Sequence, residues 1–263
     1  MTKTFHSIVA IAGTIIILAS CSKDDNNGNN PVVNINKTVI SAAGDNATVL
    51  AKLNEFRALA GDPLNSAPGA TTGRREVNWD GVPANLTNTN NFPIDFFGSS
   101  DPTLANGRKR GLITGPGASF RVDSSDFSEI DPSYESQFEA FSPKKLFAYM
   151  GNVVTTVTFK VPGSATDAFV KSFAVIFSDV DVVNSTSVEY FNGNKSLGVF
   201  YATPASQAFS LVGVAFPDEK ITEVKITSGN GLLATGVKDI SNGGTKDLVV
   251  MDDFLYSEPQ ALQ

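Results

Sequence analysis

Histidine and cysteine each occur once in the 263 residues, as His6 and Cys21, and tryptophan once, as Trp79. After position 21 the chain has neither an imidazole nor a thiol. That excludes Ser-His-Asp and Cys-His catalysis, zinc sites built on His or Cys, and disulfides within the body of the chain. A basic surplus is missing too. The 20 Lys+Arg against 27 Asp+Glu give a formal charge of −7, which argues against a nucleic-acid binder with a basic footprint. Charged residues are 18% and hydrophobic residues 41%, so the chain can bury a core and is not of disordered composition. Any chemistry has to use carboxylates, hydroxyls, amides, Lys, Arg or aromatics.

The apolar run at 8–19 is about 12 residues, where a spanning helix needs ~20. It follows Lys3 and stops at Leu18-Ala19-Ser20-Cys21. This pattern resembles the lipobox of bacterial lipoproteins, in which a secretory signal is cleaved before a cysteine that then carries lipid. Ser22-Lys23-Asp24-Asp25 resembles the signal by which Bacteroidetes-type bacteria send lipoproteins to the outer face of the outer membrane. The Asn/Gly stretch at 26–30 is too polar to pack and reads as a tether. The expected organisation is a signal peptide at 1–20, a lipidated Cys21 with a flexible tether at 21–40, and one domain at 41–263.

Within that domain, Val49, Leu50, Leu53, Phe56, Leu59 and Ala60 recur at helical spacing, with Asp45 or Asn46 to cap the start and Gly61 and Pro63 to end it. From Gly73 onward the period becomes two. Strands are expected at 153–161, 169–180, 186–191, 196–201, 208–216, 221–228 and 248–256, with Asn192-Gly193-Asn194 as a hairpin turn. The segment at 169–180 is apolar on both faces near its end, as a central strand would be. Many short strands, almost no helix and no tandem repeat predict an all-β fold. The expectation is a single jelly-roll-like β-sandwich with one N-terminal amphipathic helix on an edge or end.

Three formal motif matches fail on context. Ser142-Pro143-Lys144-Lys145 lacks the companion elements of a Ser-x-x-Lys enzyme. Gly229-Asn230-Gly231-Leu232-Leu233-Ala234 is not set in an α/β pattern. Asp179-Val180-Asp181 begins like an EF-hand loop, but Val183 and Tyr190 stand where oxygen ligands are needed.

Two segments are more specific: Gly73-Arg74-Arg75-Glu76-Val77-Asn78-Trp79-Asp80-Gly81 and Asp252-Asp253-Phe254-Leu255-Tyr256-Ser257-Glu258-Pro259. Between them, in order, come Arg110-Gly111, Phe141-Ser142-Pro143-Lys144-Lys145-Leu146-Phe147 and Phe177-Ser178-Asp179-Val180-Asp181. The set resembles a largely uncharacterised family of secreted or surface β-sandwich proteins. That family is marked by Gly-Arg-Arg-Glu-Ile-Asn-Trp-Asp-Gly and a closing Asp-Asp-Phe-x-Tyr-Gly-Glu-Pro. Val77 replaces the Ile and Ser257 the Gly; the second departure bears on the final turn. The resemblance implies an extracellular sandwich and brings no activity with it.

The first motif gathers polar forks around the lone tryptophan. In one reading Trp79 stacks on a sugar while Asp80, Asn78 and Arg75 bond its hydroxyls. In the other, arginine–carboxylate pairs pin a corner and Trp79 plugs the core. Asp252 and Asp253 are adjacent on an apolar strand, so alternation turns one of them inward, where it needs a partner. Arg74 or Arg75 is the expected partner and Ca²⁺ the alternative, with Asp80 or Glu76 as further ligands. No other cofactor is implied.

The function expected is a cell-surface lipoprotein with a non-catalytic binding sandwich, held to the membrane by its lipid and recognising glycan or another extracellular ligand. Nucleic acid is not an expected partner. The alternatives are a structural or adhesive envelope protein and a glycoside hydrolase drawing on Asp80, Asp179, Asp181, Asp252 or Glu189. The lipobox is directly testable: Cys21→Ser is expected to abolish acyl labelling and leave the product unprocessed or released. Normal processing with retention in the membrane would refute it.

Overall fold

The computed structural model describes residues 35–262, so the expected signal peptide, Cys21 and most of the expected tether lie outside the described residues. The first element is a strand, β1 (Thr38–Gly44), followed by the helix α1 (Asn46–Ala60). Strands then follow as β2 (Arg74–Val77), β3 (Thr89–Phe92), β4 (Leu112–Gly115), β5 (Phe120–Asp123) and β6 (Leu146–Tyr149). Next come β7 (Val154–Lys160), β8 (Asp167–Phe169), β9 (Ser172–Val180), β10 (Ser187–Asn192) and β11 (Lys195–Tyr201). The chain closes with β12 (Ala205–Ala215), β13 (Glu223–Thr227), β14 (Val250–Ser257) and β15 (Gln260–Ala261). The fold is an all-β sandwich of two antiparallel sheets. One runs β1-β12-β9-β14-β6-β5-β3 with β2 also on β14; the other runs β11-β10-β13-β7-β8-β15 with β4 on β7.

The sheet starts earlier than the composition suggests, because residues 38–40 pair with 213–215 of β12. They belong to the domain and not to the tether. Along β7 the alternation is as expected, with Thr155, Val157 and Phe159 buried between the sheets. Asn192 and Lys195 close the hairpin of β10 and β11 around Gly193, whose φ of 57° suits a tight turn.

All nine residues of β9 are buried, because both faces of its sheet are covered. The inner face contributes Phe173, Val175 and Phe177 to the main core. The outer face contributes Ala174 and Ile176 to a second core, where Val49, Leu53, Phe56 and Ala60 of α1 pack beside Leu211 and Leu255. The helix therefore lies on a sheet face, and the edge or end position expected for it is corrected. The apolar outer side of β9 requires that cover, and burying side chains such as Leu53 and Phe56 contributes ~1.5–3 kcal/mol each. Asp45 caps the helix by accepting from Thr48 N at 2.9 Å, and Gly61 ends it at φ 106°. Segments around Phe127, Tyr134, Phe138 and Leu233 cover the rest of this face against Leu146, Leu248 and Val250.

Helix and sheet pack tightly at Gly213. A Cβ there would lie 2.7 Å from the Phe56 ring and 2.9 Å from Ala174 Cβ. Gly213→Ala is expected to destabilise by ~1–3 kcal/mol through overpacking. Phe56→Leu in the same chain should recover part of that loss, so the double-mutant cycle in chemical denaturation should be clearly non-additive. Additive losses would mean that the helix does not seat here.

Candidate functional site

Strand β2 alternates its polar forks between two environments. Arg74 and Glu76 face the helix, where Glu76 accepts from Arg57 Nε at 3.0 Å, Arg57 Nη2 at 2.8 Å and Arg74 Nε at 2.8 Å. Burial alone would raise the Glu76 carboxyl, but the two guanidiniums outweigh it and hold it below the usual range. Arg74 also bonds Asp62 and, at 3.2 Å, Gly61 O. Arg75 points inward and is fully buried, forked onto Glu258 at 2.9 and 2.7 Å. Asn65 donates to the same carboxylate at 2.8 Å. The first motif is thus tied to the last one through a buried bidentate pair.

Trp79 follows in a left-handed conformation (φ 64°) and is 1% exposed. Its ring stacks on Phe147 at 3.9 Å, and its Nε1–H donates to Asp252 O at 2.8 Å. Both edge and face are engaged by the core, so the stacking platform for a sugar is corrected to a core plug. Lys145 holds the turn beyond it by donating to Val82 O at 2.6 Å and Asp80 O at 3.2 Å.

The acidic pair has neither of the expected arginines as partner, since Arg74 and Arg75 are committed elsewhere. A bulge in β14, where pairing with β9 shifts between Met251 and Phe254, buries both side chains. Asp252 accepts from Phe141 N at 2.6 Å, Ser142 N at 3.2 Å and Ser142 Oγ at 3.1 Å, while Asp253 accepts from Ser142 Oγ at 2.8 Å. Burial, and then the charge of Asp253, push the Asp252 carboxyl well up. Burial raises Asp253 as well. Burial thus biases both carboxyls toward the protonated form.

Three carboxylates at metal-ligand spacing occur elsewhere, at Asp179, Asp181 and Asp239, with oxygens within 4.8 Å of one another. Asp179 accepts from Gln207 N at 2.6 Å and from Gln137 Nε2. Asp239 accepts from Ser241 N, Ser241 Oγ and Leu248 N at 2.7–2.9 Å. Among the described residues, no Lys or Arg forms a salt bridge with any of these acids or with the pair on β14. Burial is the main cause that raises Asp179 to about 7 and Asp239 to about 6. Glu189 is distant in role, accepting from Ser196 Oγ at 2.7 Å on the β10–β11 hairpin.

A cleft of about 370 Å³ opens between the end of β2 and the loop at 96–110. Its walls are apolar, with Val77, Phe96, Phe97 and Leu104, and the Asn78-Trp79 segment also borders it. Arg75 and Asp80, expected at a site with them, do not line it. Two arginines missed by the sequence reading do. Arg108 lies over the Phe96 ring at 3.8 Å and donates from Nε to Phe96 O at 2.8 Å. Arg110 donates from Nη1 to Glu76 O at 3.3 Å, and its Nε is buried without a partner. The backbone of Arg110 is fixed. Phe97 O accepts from Arg110 N at 2.7 Å and Gly111 N at 2.8 Å, and Arg110 O accepts from Tyr256 Oη at 3.1 Å. Gly111 is required beside it, because at φ 76° a Cβ would sit 2.2 Å from Lys160 O. The one carboxylate lining the cleft is Glu76.

No family model, curated protein or solved structure matches the chain.

The raised carboxyls set a pH dependence. A group whose pKa is higher in the folded than the unfolded chain contributes fully at low pH, and that contribution is lost as pH rises. For Asp179 the window runs from its usual 3.8 up to about 7. Melting temperature is therefore expected to fall between pH 4 and 7, and Asp179→Asn, which mimics the protonated acid, should flatten the fall and come closest to the parent at the acid end of that range. An unchanged slope in the variant would rule out Asp179 as its source.

Proposed function

We propose that the protein is a surface lipoprotein whose β-sandwich binds an extracellular ligand, without cleaving it, in the cleft between β2 and the loop at 96–110. The observation that carries this reading is the cleft itself. It has the volume of a small-ligand site, apolar walls and a few fixed polar groups. What supports binding over hydrolysis is the state of its carboxylate. Glu76 is bonded by two arginines and held ionised, so it has no proton to give and its oxygens are already engaged. A glycosidase needs a second carboxyl across the groove, with one of the pair protonated. The other acids named from the sequence, Asp80, Asp179, Asp181, Asp252 and Glu189, do not line the cleft.

Ala105 is an exposed cleft residue, so Ala105→Trp should block the cleft without disturbing the core. A neutral apolar dye such as Nile red is expected to bind the parent protein and to lose at least tenfold in affinity in that variant, at equal melting temperature. Undiminished dye binding would place the site elsewhere. Release of reducing ends from a polysaccharide, abolished by one carboxylate substitution, would replace this reading with a hydrolase.

A further inference from the structure

The described residues contain six arginines. Four are matched to carboxylates: Arg57 and Arg74 to Glu76, Arg75 to Glu258, and Arg121 to Asp123 and Glu129. The other two, Arg108 and Arg110, form no salt bridge among the described residues. Both line the same cleft. In a chain of formal charge −7, acidic partners are plentiful, and the two unmatched guanidiniums fall together.

We infer that the cleft takes an amphiphilic carboxylate, a small molecule with an apolar body and one anionic head, and this inference rests on the cleft being the binding site. The head is recognised at Arg110. Its buried Nε has no acceptor, and its Nη1 has only a long bond to a main-chain oxygen. The guanidinium lines the cleft with no carboxylate against it, and a ligand carboxylate placed there gains charge-assisted hydrogen bonds. Glu76 does not do this internally, because its oxygens are engaged by Arg57 and Arg74 and only its main-chain oxygen meets Arg110. Arg110 is also held ready by its main-chain bonds to Phe97 and Tyr256, so little ordering accompanies binding. Arg108, over the Phe96 ring at 3.8 Å, adds a second positive charge to the lining. The body of the ligand meets Val77, Phe96, Phe97 and Leu104, which offer dispersion contact and few hydrogen bonds. A polar acidic sugar would leave its hydroxyls unpaired against those walls.

Isothermal titration with a matched pair, 6-phenylhexanoate and 6-phenylhexanol, tests this on the purified protein, with trigalacturonate as a polar carboxylate. The acid is expected to bind at least tenfold tighter than the alcohol. Arg110→Gln should erase that preference at unchanged melting temperature, and Arg108→Gln should reduce it. Equal binding of acid and alcohol would overturn the anionic-head inference and leave the cleft reading standing. Tighter binding of trigalacturonate would overturn the apolar body and point to an acidic glycan. Binding of neither member of the pair would overturn the inference, and the Nile red comparison with Ala105→Trp then tells whether the cleft reading falls with it. If Arg110→Gln unfolds the chain, the Arg108→Gln result and the loss of the acid preference at high salt decide the matter.

Discussion

Buried carboxylates on the two central strands need donors, and much of the outer face of the sandwich is organised by that need. An ionised or polar oxygen removed from water without a hydrogen bond costs several kcal/mol. Strands β9 and β14 place Asp179, Ser178, Asp252 and Asp253 where water is excluded. One stretch of chain answers most of them. Gln137 donates to Asp179, Glu139 N to Ser178 Oγ, and Phe141 N and Ser142 to the acid pair. This stretch is stitched to the sheet at successive points and, with the aromatic cluster around Tyr134 and Phe138, shuts the face that α1 leaves open. The acids act as acceptors for a covering segment, and the Ser142 hydroxyl meets both Asp252 and Asp253.

The inner side depends on a different device. Arg75 on β2 and Glu258 just after β14 form a fully enclosed fork, and removing either member would leave an uncompensated charge in the core. The pair fixes the register of β2 on β14, which in turn sets where Trp79 enters the core against Phe147 and Phe254. Ser257 contributes at the same end: its hydroxyl accepts from Lys171 N at 2.7 Å and helps close the end of the strand.

The elements legible in the sequence are those long enough to carry a period. Helix α1 lies within its expected bounds with its expected caps, and β7 and β9 to β14 fall close to their predicted ranges, while β8 and β15, of three and two residues, have no predicted counterpart. The four-residue strands β2 to β6 are too short to show alternation over background, and β1 is masked by its neighbouring polar tether. The side on which α1 docks was implicit in the two apolar faces of 169–180. The partner of Asp252 was not, because a bulge sets it and its donors come from 141–142, more than a hundred residues away in sequence. At the cleft, Arg110-Gly111 reads as a turn, and the missing carboxylate for Arg108 and Arg110 shows only once every other arginine has been seen to have one. Asp179 and Asp181 lacked their third neighbour because Asp239 arrives from a distant loop.

The cleft loop anchors Phe96 and Phe97 in the core, and its remaining path is held largely by main-chain bonds. Ser99 N bonds Arg108 O, Thr114 N bonds Ile94 O, and Phe97 O gathers two amides. Main-chain attachment is indifferent to side-chain identity. Residues such as Leu104, Ala105 and Asn106 can therefore be exchanged wholesale while the loop keeps its path, provided Gly111 stays. Under the proposed binding role, a scaffold of this kind would let ligand preference diversify at little cost in folding, much as hypervariable loops do on an unchanging frame.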